Sequence, residues 1–201
     1  MADKKNQHYI PKFYLRKFSY QGNEKQIGLF NVRKSFFYPT APLKNQGSKD
    51  FFYGVDGIIK EGLSIIEGTL AESLRQVISN RKVPEKLSKE HINLLAFVVL
   101  AHLRNPAIIQ NMRDLVKSAQ SRALELDADL DPTKFFPDIS NEEAEKTALS
   151  QVSEIVPVIA DLDFKLLINR TEKPFITSDF PVIKYNQYLV MIFFNKKFIQ
   201  P

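Results

Sequence analysis

From Ile92 to Leu103 the chain reads INLLAFVVLAHL, apolar on nearly every side when wound as a helix. A helix with no polar face is normally the buried centre of a bundle, because any side turned to water would expose apolar surface. The rest of the chain must therefore build a shell around it. Ser88 is placed to cap the start of this helix, offering a side-chain oxygen to a free backbone N–H. Pro106 ends or kinks it near Arg104, because proline lacks an N–H and crowds the preceding turn. Helical pattern then resumes to about Leu126.

The shell is legible on both sides. Ile59, Leu63, Ile66, Leu70, Leu74 and Val77 fall at spacings of three and four, which predicts a helix from about Val55 to Ser79, broken at Pro84. Ser140 and Glu143 form a capping box that opens a helix to about Asp161, bent by Pro157. DADLDPTKFFPD, at 127–138, is a linker or a functional loop. Ahead of the helices, Pro11 suits the start of one or two turns running to about Phe18. QIGLFNVR at 26–33 and SFFYPT at 35–40 read as a strand pair, and residues 41–50 as a loop. After the helices, 164–170, 173–177, 181–186 and 188–194 read as strands. Strands, then helices, then strands predict an α+β fold. About four helices pack with a small, mostly antiparallel sheet formed by N- and C-terminal strands, in a single domain over 1–201.

Several chemistries are excluded. The chain has no cysteine, so disulfides, thiolate zinc sites and cysteine nucleophiles are ruled out. No Gly-rich phosphate loop, HExxH, GxSxG or dinucleotide fingerprint is present. The longest apolar run, LLAFVVLA at 94–101, is too short to span a bilayer, and the first residues lack the apolar core of a signal peptide. The expectation is a cytoplasmic protein with no membrane partner.

Charge is unevenly spread. Residues 1–49 hold ten Lys/Arg against two Asp/Glu, 50–163 twelve against nineteen, and 164–201 six against two, for a net +5. If the two ends meet, they form a basic surface beside an acidic helical body.

The opening block QHYIPKFYLRKF, residues 7–18, concentrates the candidates. His8 suits a general base. Lys12 and Arg16 suit phosphate contacts, with the neighbouring rings stacking on bases; the alternative is that Tyr9, Phe13, Tyr14 and Phe18 pack inward while the cations face water. Glu67 sits at the edge of the long apolar stripe and needs a partner there. Arg104 is the candidate, as a structural ion pair or as part of a site. His91 and His102 lie about three turns apart, roughly 16 Å, too far to share a metal. His91 reads as a surface or capping residue, and His102 with Arg104 as lining a pocket near the kink. In FITSDFPV, at 175–182, Ser178 and Asp179 make either a sharp strand-exit turn or a ligand set. Glu67, Asp179 and His8 together would suit a divalent cation or acid–base work.

These same blocks resemble the domain of unknown function 4238 family, an uncharacterised and mainly bacterial group. Members begin with a similar Gln-His-Tyr-hydrophobic-Pro-basic-Phe-Tyr-Leu-Arg run. DFFYG at 50–54 before a helix carrying Glu67, AHLRNP at 101–106, and FITSDFPV are similar to further family elements. Members usually continue well past the Thr-Ser-Asp element with more sheet, so the resemblance implies a C-terminally shortened member.

Three functions fit. The first is a domain that binds, and processes, RNA or DNA, motivated by the basic first segment with its nine aromatics; in a bacterium this would suit a toxin or phage-defence setting. The catalytic set would be His8, Glu67 and Asp179, with Lys12, Arg16, His102, Arg104 and Ser178 binding substrate. The second is a non-catalytic interaction module whose basic ends contact the acidic body of another copy. The third is a small-molecule hydrolase, which requires His8, Glu67, Arg104 and Asp179 around one cleft.

Overall fold

A computed structural model describes residues 5–54 and 58–184. In chain order its elements are β1 (Asn6–His8), α1 (Lys12–Leu15), β2 (Gln26–Asn31), β3 (Phe36–Pro42), β4 (Ser48–Asp50), α2 (Ile58–Asn80), α3 (Lys89–Leu103), α4 (Pro106–Leu126) and α5 (Asn141–Val158), with short 3-10 turns between some of them. This is an α+β fold dominated by helices.

α3 is the central helix, as its composition requires. His91, Leu94, Leu95, Phe97, Leu100 and Leu103 are all buried, and α2, α4 and α5 each pack against it. Ser88 caps its start by accepting the His91 N–H at 3.2 Å. At its end the chain turns by 59° into α4. Asn105 makes the turn by capping α4, accepting the Ala107 N–H at 2.9 Å, and Pro106 takes the first helical position, where its missing N–H costs nothing. α5 opens with the expected capping box, in which Ser140 accepts from the Glu143 backbone at 3.1 Å and donates its own N–H to the Glu143 carboxylate at 2.8 Å. Ala144 and Ala148 are fully buried, so α5 can approach the core closely.

The buried seam of α2 differs from the expected stripe in one place. Ile59, Leu63, Leu70, Leu74 and Val77 face inward, but Ile66 is 50% exposed. A spacing of four from Leu63 reaches residue 67, so Glu67, not Ile66, completes the inner row.

Two small antiparallel sheets flank the helices. β2 and β3 form the expected hairpin, with Leu29 opposite Tyr38, Phe30 opposite Phe37 and Asn31 opposite Phe36, and an irregularity between Ile27 and Leu29. β1 pairs with β4, placing Gln7 opposite Lys49 and His8 opposite Ser48. Gly47 fits this corner because its φ is +59° and its carbonyl accepts from both Tyr9 and Ile10. A Cβ there would sit 2.7 Å from Ile10.

Among the described residues both sheets are built from N-terminal strands, and the strands expected at 164–170 and 173–177 are not formed. Residues 164–184 carry no assigned strand among the described residues. A strand exists by pairing, and β-branched composition without a partner gives only extended chain. The expected strand at 188–194, and the last two residues of that at 181–186, lie outside the described residues.

Candidate functional site

The opening block folds as its alternative reading held. Phe13 and Tyr14 meet Phe97 of α3 at ring-centroid distances of 5.5 and 5.8 Å, and Tyr9 meets Phe52 at 5.5 Å. These rings are core, not a stacking surface. Lys12, Arg16 and Lys17 point to water, with Arg16 3.8 Å from Glu24.

Around the end of α3, Arg104 gathers three elements. Its side chain is 1% exposed. Nη1 donates to Glu67 at 2.6 Å, Nε donates to the Tyr53 hydroxyl at 2.8 Å, and Nη2 donates to the His8 carbonyl. Tyr53 is itself buried, and its hydroxyl donates to the same His8 carbonyl at 3.3 Å. Gln7, wholly enclosed, donates to the Gly54 carbonyl at 2.9 Å and accepts the Tyr53 N–H. A planar guanidinium with several fixed donors can tie β1, the 51–54 turn and α2 together in this way. The glutamate in the α2 seam is thus neutralised at the point where it would otherwise be a costly buried charge.

Next in sequence, Asn105 donates to the Asp179 carbonyl at 2.8 Å. Tyr14 and Thr177 share a hydrogen bond of 2.9 Å. The His102 ring lies 5.4 Å from that of Phe180 and bonds the Val182 carbonyl. The amino-terminal block and the Thr-Ser-Asp corner therefore meet at the α3–α4 bend.

The candidate residues divide accordingly. His8, Glu67 and Arg104 come together, and Asp179 joins them through its main chain; its carboxylate lies close enough to Tyr9 to help raise that phenol's pKa, after burial. His102 is buried at the same bend, its pKa lowered by burial and then by Lys184. Ser178 spends its hydroxyl on Phe180, accepting from the N–H at 3.1 Å and donating to the carbonyl at 2.8 Å, which is a local turn. His91 is not on the surface. It is 1% exposed, and its Nε2 bonds the Leu162 carbonyl at 2.9 Å, so it pins the chain leaving α5.

His8 is the candidate with spare capacity. Its imidazole is partly buried, and Nε2 has no hydrogen-bond partner. Burial, then Lys12, Arg104 and Lys60, push its pKa down to about 4. It is neutral at pH 7 and a weak base. Among the described residues no group of three or more His, Asp or Glu side chains is placed to hold a metal ion, and Glu67 is committed to Arg104. The cation site imagined from Glu67, Asp179 and His8 is not assembled.

Sequence reasoning missed four participants. Gln7, Tyr53 and Asn105 look like ordinary motif letters until their partners are seen. Glu145 is a carboxylate on α5 that is only 2% exposed, with Oε2 unpartnered; burial, and then Glu142, push its pKa up to about 8 against the pull of Lys49. It directly follows Ala144 and lies one turn before Ala148, both buried, and that apolar spacing was the available signal.

The fold and this knot define a helix-dominated α+β fold in which the amino-terminal block and the 177–182 segment meet at the bend of a buried helix. The chain belongs to the family described as protein of unknown function DUF4238, whose model matches residues 6–193. No curated protein and no solved structure matches it. No single helix among the described residues is long and apolar enough to cross a membrane.

Proposed function

We propose that this domain binds nucleic acid through the cationic surface of its first fifty residues, in a cytoplasmic setting. One observation carries the reading: residues 25–49 hold five Lys/Arg and no Asp/Glu, and all five cations are exposed. A polyanion gains by releasing its counterions to such a surface, and the affinity needs no base-specific contact. The geometry favours binding over bond cleavage. A base near pH 4 is poorly matched to neutral pH, Arg104 is sealed from solvent, and Glu67 already has a partner. A hydrolase built on His8, Glu67, Arg104 and Asp179 would need free side chains around an open cleft, whereas Arg104 and Glu67 are paired with each other and His8 and Asp179 are held through their carbonyls.

The test is fluorescence anisotropy of a labelled oligonucleotide at low salt, comparing wild type with Arg33→Glu/Lys34→Glu. Both side chains are exposed, so the fold tolerates the change. Binding should weaken by tenfold or more. Equal binding by both proteins would refute the reading.

Self-association is the second reading, favoured by the uneven charge, with ten Lys/Arg against two Asp/Glu in residues 1–49 and twelve against nineteen in 50–163, so that the basic segment of one copy can meet the acidic body of another. It predicts dimers in light scattering at low salt that dissociate as salt rises.

A further inference from the structure

The β2–β3 hairpin presents its aromatic rings to water. Phe30 is 58% exposed, Phe36 55%, Phe37 56% and Tyr38 37%. Four large rings in so short a ribbon are not left exposed by chance of composition, since the four rings of the opening block all turn inward. The arrangement follows from the register. Successive strand residues point to opposite faces. Phe30 and Phe37 are directly opposed and share one face, while Phe36 and Tyr38 occupy the other, edge to face at 4.8 Å. Phe37 also covers Gly28, where a Cβ would lie 3.4 Å from the ring. The base of the ribbon is anchored through Ile27, which is buried with Ile10, Leu15 and Leu43. Its tip carries Arg33 and Lys34, both exposed.

We infer that the hairpin is a stacking platform for unpaired bases, so that the nucleic acid this domain takes is single-stranded. The inference rests on the cationic-surface reading and narrows it. The rings offer flat apolar faces on both sides of a cationic ribbon, and a base has a flat apolar face and an anionic backbone. In a duplex the base faces are already stacked on one another and only their edges are open in the grooves. Exposed rings therefore gain contact with a single strand that a duplex cannot supply. Arg33 and Lys34 hold the phosphates beside the rings, and no carboxylate between residues 25 and 49 opposes them.

The experiment uses the whole chain and two labelled probes, a mixed-sequence 20-nucleotide single strand and the corresponding duplex. Wild type is compared with Phe36→Leu/Phe37→Leu, which keeps the residues apolar but removes the flat rings. Circular dichroism and melting confirm that the variant is folded. The single strand should bind about tenfold or more tighter than the duplex, and the variant should lose most of that preference. Equal affinity for both probes, or an unchanged preference in the variant, overturns the inference while leaving cationic binding in place. No binding of either probe at low salt overturns both. A variant that dissociates an oligomer and binds the single strand as wild type does would assign the rings to a second copy and also overturn it.

Discussion

Removing Arg104 should cost more stability than any other single polar change in the described structure. Arg104→Met keeps the length and apolar stem of the side chain and deletes the fork. Three partners then lose a donor: the Glu67 carboxylate, the Tyr53 hydroxyl and the His8 carbonyl. Breaking a buried ion pair by removing one partner costs about 3–5 kcal/mol. Glu67 keeps 26% side-chain exposure, so water recovers part of its loss and the ion-pair share falls toward the low end. The Tyr53 and His8 contacts add about 1 kcal/mol each at most. The expected total is about 3–5 kcal/mol, a large fraction of a typical domain's 5–15 kcal/mol. Equilibrium urea unfolding followed by circular dichroism reads it directly. Arg104→Lys should recover little, since an ammonium cannot reach three acceptors in the geometry of a guanidinium. Glu67→Gln in the Arg104→Met background should restore stability by relieving the unpaired charge. A loss below about 1 kcal/mol in Arg104→Met, or no recovery in the double variant, would refute the assignment of Arg104 as the tie between the opening strand, the 51–54 turn and α2.

Other expectations follow from the same geometry. Glu145 holds its proton in the fold to about pH 8, above the ordinary value of 4.5. The native state thus binds more protons than the unfolded chain between those values, and stability falls as pH rises through that window. Glu145→Gln should flatten the decline in melting temperature from pH 5 to 8, and an identical slope in wild type and variant would contradict the burial argument. His8 is shifted the other way, down to about 4 from 6.5, so it costs stability as pH falls from 6.5 toward 4, and His8→Gln should remove that acid-side loss in the same melting series. Gly47→Ala combines an unfavourable positive φ with a Cβ driven into Ile10, and should cost about 2–4 kcal/mol in urea unfolding; a loss of a few tenths would mean that the β1–β4 corner shifts freely.

The helical architecture was legible because it is written in periodicity and caps. INLLAFVVLAHL admits no place but the centre, Ser88 and Ser140 mark helix starts, and Pro106 marks the bend. The ion pair between Glu67 and Arg104 was legible too, because a carboxylate beside an apolar stripe demands a cation. What failed was local composition read without partners. Residues 164–184 have strand-like letters and no strand to pair with among the described residues, while Asn6–His8 and Ser48–Asp50 pair in a ladder too short to show alternation. The stripe misplaced Ile66 by one residue because Ile is the more apolar choice, yet the helical spacing runs through Glu67. His91, near the start of its helix, reads as a surface or capping residue in the sequence, but its ring is held inside by the Leu162 carbonyl. In the opening block, sequence alone left core and stacking surface open; packing against Phe97 and Phe52 decides for core. The exposed rings belong instead to the hairpin, which the sequence read only as a strand pair.

Binding by this protein depends most on the five cations of residues 25–49 meeting a nucleic-acid backbone. The direct measurement is the oligonucleotide dissociation constant of the full chain from about 50 to 200 mM salt. Engagement of all five on a single strand predicts a slope of log affinity against log salt near −3.5. Affinity that does not change with salt, or no binding at the lowest salt, would contradict it.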